Sequence, residues 1–305
     1  MPTTGKGWGL ELMDRVQNEG IVHQEVVAQI EKFVGRNVVG YFTFFGHPAG
    51  VIMDEDSTLL ENILRSVDLT RYDGRLDLIL HSPGGSPIGA EKLILTCRSY
   101  CKEFRVVVPK SAMSAATLVT MGADAIVMGE TSEIGPIDPQ MVIESGNQQV
   151  IRPAAAFVDA YRELINQTQG AIRDGQPPHP YLELLRKMDP VFIQVCLKAR
   201  AVSQTLASEY LLRYQLKGKT VEEVDSVVKR FLEEGEQGTH GRPIRAEKAK
   251  EFGLDVEVPD KEGELWRSIW ELYMRCEHYV RTRQLAKYFV TSRGGINVQV
   301  QAIRL

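Results

Sequence analysis

Apolar positions recur along the chain with two periods. Short, dense runs stand at 37–45 (NVVGYFTFF), 76–80 (LDLIL), 104–108 (FRVVV) and 125–128 (AIVM). Each is mostly apolar and too short for a typical globular helix, so each reads as a buried strand. Between them the period lengthens. Leu59, Leu60, Ile63, Leu64 and Val67 form a helical stripe over 53–67, with Asp54, Asp56 or Ser57 as candidate N-caps. Ile88, Leu93, Ile94 and Leu95 mark a second helix over 88–98. Ahead of the first strand, Val16, Ile21, Val26, Val27, Ile30 and Phe33 give a helical pattern over 10–33 that Gly20 divides. Strands alternating with helices predict an α/β fold, with ligands placed off the carboxyl ends of the strands.

Beyond 128 the chain is turn-rich to 140. Residues 144–149 read as a loop between β-like ends, and long helical segments follow over 154–169, 181–188 and 191–216. Asp189-Pro190 supplies an N-cap and a first-turn proline to the last of these. Thr220 with Glu223 forms a capping box that opens a helix over 220–234. A polar loop, GEQGTHGRP, separates it from a short helix over 245–252, closed by Gly253. A hinge at 260–263 predicts a C-terminal appendage of one helix over 264–288 and a β-like segment over 296–303. Trp266, Trp270, Leu272, Tyr273 and Tyr279 read as its packing stripe. The organisation expected is a helical segment at 1–35, an α/β core with inserted helices at 36–258 and the appendage at 259–305.

Two places carry candidate chemistry. Ser82-Pro83-Gly84-Gly85 ends the strand at 76–80: proline removes a backbone donor and the glycines relax the dihedral limits, which makes a tight turn. Ser114, flanked by Ala112, Ala115 and Ala116, opens a helix after the strand at 104–108. Small neighbours let another backbone approach, and a hydroxyl there lies beside free N–H groups that can hold a developing oxyanion. The alternative is a plain N-cap serine.

SPGG, the serine in its Ala-rich lead, and GADAIVMGETSEIGPIDPQ together resemble the ClpP-class and signal-peptide-peptidase-like serine peptidases of the ClpP/crotonase superfamily. They are most similar to the serine dehydrogenase proteinase family, and the likeness resumes weakly at GRPIRAEKAKEFGLDVE. The resemblance implies stacked ββα units and a soluble serine peptidase that hydrolyses peptide bonds. Ser114 would be the nucleophile, and the N–H groups of Gly85 and Ala115 the oxyanion hole. It also implies a peptide or unfolded-protein substrate and a homo-oligomer, with an unfoldase partner as an open question. Relatives place a histidine in the segment matching 132–139, or a lysine in the window matching 154–166. This chain has neither there. The general base is therefore sought elsewhere. His240 is preferred because imidazole works near neutrality unshifted, with His179, Lys110, Lys187 and Lys198 as alternatives. His47, in the turn after the first strand, is a further histidine that can approach the site. Asp138 can orient or accept a group but is too acidic for a general base.

Composition narrows the reading. A formal charge of −4 and an acidic balance of 40 Asp+Glu to 36 Lys+Arg argue against a nucleic-acid partner. The basic C-terminal stretch of Arg275, Arg281, Arg283, Lys287 and Arg293 reads as a solvated face or a surface for an acidic partner. Cys97, Cys101, Cys196 and Cys276 have no zinc or CxxC spacing, and no GxGxxG follows a strand, so no metal, nicotinamide or other cofactor is expected. No leader or long apolar run is evident, which predicts a cytoplasmic protein without a membrane partner. Two other readings stay open: a catalytically silent oligomeric scaffold of the same fold, and a crotonase-like acyl-CoA enzyme using the same two backbone donors on a thioester.

Overall fold

The computed structural model describes residues 8–18, 22–145, 148–236 and 243–300. Helices α1 (Trp8–Asn18) and α2 (His23–Val34) precede strand β1 (Asn37–Thr43), helix α3 (Asp56–Ser66) and strand β2 (Arg75–His81). Helix α4 (Pro87–Tyr100), strand β3 (Glu103–Val108), the two-residue β4 (Ser111–Ala112), helix α5 (Ala115–Met121) and strand β5 (Ala125–Met128) follow. Next come β6 (Glu133–Ile134), the hairpin β7 (Gln140–Ser145) and β8 (Gln148–Pro153), and helices α6 (Ala154–Arg173), α7 (His179–Arg186), α8 (Pro190–Arg213) and α9 (Val221–Glu236). The chain closes with α10 (Ala246–Phe252), β9 (Val256–Glu257), α11 (Glu264–Thr282), β10 (Leu285–Thr291) and β11 (Gly294–Gln299).

The central sheet has seven strands in the order β11-β10-β1-β2-β3-β5-β9. From β1 to β9 neighbouring strands run parallel; β10 and β11 join antiparallel at one edge. Side chains alternate across it. Val39, Tyr41, Leu78, Leu80, Val106 and Met128 face a core closed by α3, α4, α5, α8 and α9. Val38, Phe42, Ile79, Val107 and Val127 face a second core under α2 and α11. Past the sheet's carboxyl edge the chain makes a second, short layer. Ile52 bridges Gly85, Ser82 bridges Ala112, β4 pairs with β6, and Ile134 pairs with Ile244. A long strand, a short strand and a helix therefore repeat, which is the stacked ββα arrangement expected.

Caps follow the sequence closely. Asp189 Oδ1 accepts the Val191 N–H at 2.8 Å. Thr220 and Glu223 exchange hydrogen bonds of 2.8 and 3.2 Å. The cap of α3 differs from expectation: it begins after Glu55 with no side-chain cap, while Asp56 reaches back to the Met53 N–H at 2.9 Å.

The C-terminal segment also differs. The helix expected to reach 288 ends at Thr282, because Gln284 turns at φ 51° and the apolar LAKYFVT that follows is fully buried as β10. β10 pairs with β1 through Gly40–Val290 to Thr43–Lys287, so residues past 259 complete the sheet and are not an appendage to it. Trp266 and Leu272 of α11 are buried against that sheet, as a packing stripe requires. All four cysteines are free, and among the described residues no helix is long and apolar enough to cross a membrane.

Candidate active site

β2 and β3 end side by side, and both lead into the site. β2 leads into Ser82-Pro83-Gly84-Gly85; β3 leads through β4 to Ser114. The two exits are hydrogen-bonded to each other: Ser82 N–H donates to Ser111 O and Met113 N–H to Ser82 O, both at 3.0 Å. Gly84 has φ 98°, and a Cβ there would lie 2.4 Å from the Met113 carbonyl and 2.8 Å from the Ser114 Cβ. Only glycine allows the turn to press this close to the serine.

Ser114 stands at φ 53° and ψ −118°, a conformation that a non-glycine residue adopts at a cost of about 1–3 kcal/mol. It precedes α5, yet its side chain makes no capping hydrogen bond. The plain N-cap explanation of this serine therefore fails. Thr117 holds the strained turn. Its buried Oγ1 lies 2.9 Å from Ala112 O and 3.0 Å from Gly135 O, and accepts the Gly135 N–H at 3.0 Å.

A cleft of about 540 Å³ opens over the serine, lined by Gly85, Ser114, Ala115, Ile137, Pro139 and Met141 among others. Among the described residues, neither the Gly85 N–H nor the Ala115 N–H is spent on a backbone hydrogen bond. The Gly84 N–H is taken by Ser82 Oγ at 3.1 Å. A hydroxyl in a strained turn, with two backbone donors uncommitted at the same cleft, is an arrangement suited to acyl transfer.

The expected base is not among these groups. His240 lies outside the described residues. Lys110 Nζ lies 3.5 Å from the Thr131 carbonyl oxygen, while His179, Lys187 and Lys198 are exposed on α7, after it, and on α8. None of these four lines the cleft. His47 does not line it either: its Nδ1 accepts the Ala49 N–H at 3.1 Å and its ring stacks on Phe44. Asp138 is engaged structurally. Its carboxylate lies 3.0 Å from Arg200 Nε and accepts the Ala155 N–H at 3.2 Å, tying α6 and α8 to the segment below the cleft.

Sequence reasoning passed over one histidine beside the site. His81, the last residue of β2, is buried between Phe45 and Tyr273. Its Nδ1 lies 3.3 Å from the Ser111 amide nitrogen and 3.1 Å from the Ser111 carbonyl, so either neutral tautomer has a partner there. Burial, reinforced by the charges of Lys110 and Arg281, pushes its pKa down to about 4 against the opposing pull of the Ser111 carbonyl. The signal available was its place directly before SPGG.

The chain is similar to several known proteins. The family model for ClpP-like SDH-type serine proteinases matches residues 21–164, the stretch that carries both turns. Two uncharacterized proteins of Methanocaldococcus jannaschii are similar over most of the chain. MJ0137 is 32% identical over 252 residues, covering 82% of this chain and 76% of its own. MJ1495 is 31% identical over 248 residues, covering 78% and 73%. Among solved structures, a mutant of the membrane-bound stomatin-specific protease 1510-N aligns at 14% identity and a TM-score of 0.41, covering 72% of this chain and 79% of that one. On the family match and the extent of the first relative, the chain belongs to the ClpP-like SDH-type serine proteinases.

Proposed function

We propose that the protein is a serine peptidase in which Ser114 attacks the substrate carbonyl and the Gly85 and Ala115 N–H groups stabilise the oxyanion. One observation carries this reading: Ser114 is held at φ 53° without using its hydroxyl as a cap, in the same cleft as two uncommitted backbone donors. The resulting acyl-enzyme is then released by water. Val51, Leu118, Ile137 and Met141 give the cleft an apolar lining, which suits an apolar side chain of an extended peptide.

His240 is our assignment for the base. What supports it is the anchoring of Ile244, close to it in sequence: Ile244 exchanges hydrogen bonds with Ile134 at 2.9 and 3.0 Å, and β6 lies against β4, which leads to Ser114. The four other candidates do not line the cleft. A second reading, the silent scaffold, is favoured by the lack of any histidine or lysine lining the cleft among the described residues.

Hydrolysis of an unfolded protein substrate by wild type, Ser114→Ala and His240→Ala separates the two. Loss of activity with Ser114→Ala, and a fall of roughly a hundredfold or more with His240→Ala, is expected of the peptidase. Undiminished hydrolysis by Ser114→Ala would remove the serine from the mechanism, and an inactive wild type would favour the scaffold.

A further inference from the structure

We propose that a buried Lys287–Asp56–Tyr41 triad positions the Gly84–Gly85 turn for reaction, so that strand β10 acts on the candidate oxyanion hole from outside the cleft. This inference rests on the reading of Ser114 as nucleophile.

The triad joins two residues near the start of the core to one 231 positions further on. Lys287 on β10 places its Nζ 2.7 Å from both Asp56 carboxylate oxygens. The Tyr41 hydroxyl on β1 donates to Asp56 Oδ2 at 2.6 Å. Lys287 is 4% exposed, Asp56 2% and Tyr41 0%. None of the three lines the cleft. Asp56 Oδ2 also accepts the Met53 N–H at 2.9 Å, and so clamps the strap that follows β1.

That strap is the outer wall of the oxyanion turn. Ile52 N–H donates to Gly84 O at 2.7 Å, and Ser86 N–H donates to Ile52 O at 2.8 Å. Gly85 sits between them, bridged to Ile52 and pressed so close that a Cβ would lie 2.3 Å from the Ile52 carbonyl oxygen. Motion at Met53 therefore passes to Gly85 through one residue. A buried ion pair is weak evidence for stability, since apolar groups of like volume often hold a fold equally well. Its effect is better sought in the placement of the strap, because small displacements of an oxyanion donor cost rate steeply.

The test uses the full chain and a fluorophosphonate probe, with amide hydrogen exchange read in parallel. Asp56→Ala/Lys287→Met removes the ion pair and the acceptor for Met53. Asp56→Asn/Lys287→Met removes the charges and keeps an acceptor. The first should label Ser114 about tenfold to a hundredfold more slowly, with the loss in the bond-forming rate and probe binding changed by no more than about twofold. The second should recover most of that rate. Exchange should quicken at Ile52 and Ser86 in the first variant while β2 and β3 stay protected.

Tyr41→Phe keeps the ring stacked on Phe289 and loses one hydroxyl. It should show the same signature at a few-fold and carries the test if the double variant does not fold. Folded variants that react at the wild-type rate, with Ile52 and Ser86 exchanging as before, would overturn the proposal. An unreactive wild type would instead overturn the functional reading beneath it, and the exchange comparison alone would then decide the brace.

Discussion

At the scale of single residues, the site depends on backbone that few side chains tolerate. Gly84→Ala would drive a methyl group into the Met113 carbonyl and the Ser114 Cβ, at φ 98°. We expect it to lower stability by about 2 kcal/mol or more and to abolish reactivity at Ser114; urea denaturation and probe labelling would check both. His81 makes stability depend on pH. In the unfolded chain a histidine titrates near 6.5, and here it is held down to about 4. Between those values the unfolded state binds more protons, so the contribution is complete above 6.5, declines as pH falls toward 4 and is constant below. Its size is about 3 kcal/mol. Buried His23, also lowered to about 4 by burial and the charge of Arg275, adds in the same direction. Denaturation midpoints across that window should fall with acid, and less so in His81→Gln.

What single residues revealed in advance was uneven. Gly84-Gly85 was legible because a strand end followed by proline and two glycines has few other uses. Ser114 was legible from its small neighbours, but its strained dihedrals were not. His81 was hidden because its environment is made by Ser111, Phe45 and Tyr273, which reach it only in space.

At the scale of elements, Thr117 is the hinge pin between α5 and the segment after β6. Replacing it by Val keeps the shape and removes the oxygen that accepts the buried Gly135 N–H. We expect a loss of roughly 1–3 kcal/mol in thermal or urea unfolding, together with slower labelling of Ser114. Most elements could be read from the chain because period and caps agree, as at Asp189 and Thr220. The end of α11 could not. Nothing local separates residues 264–282 from LAKYFVT beyond one turn at Gln284, and the preference of that heptad for a strand is realised by pairing with β1.

At the scale of the whole molecule, the C-terminal strands belong to the core. β10 covers one edge of β1, and Phe289 stacks on Tyr41 at 4.3 Å. Removal of residues 283–305 should expose that edge and leave an aggregating chain without cooperative unfolding; a soluble, cooperatively folded product would contradict this. The contact between Asp56 and Lys287 spans 231 positions of sequence, which is why periodicity and motif reading did not find it.

The central claim is that Ser114 is an activated nucleophile. Intact-mass analysis of the protein treated with a fluorophosphonate probe, wild type beside Ser114→Ala, tests it most directly. The account predicts a single adduct on wild type and none on the variant. Equal labelling of both, or a folded wild type that stays unmodified between pH 6 and 10, would contradict it.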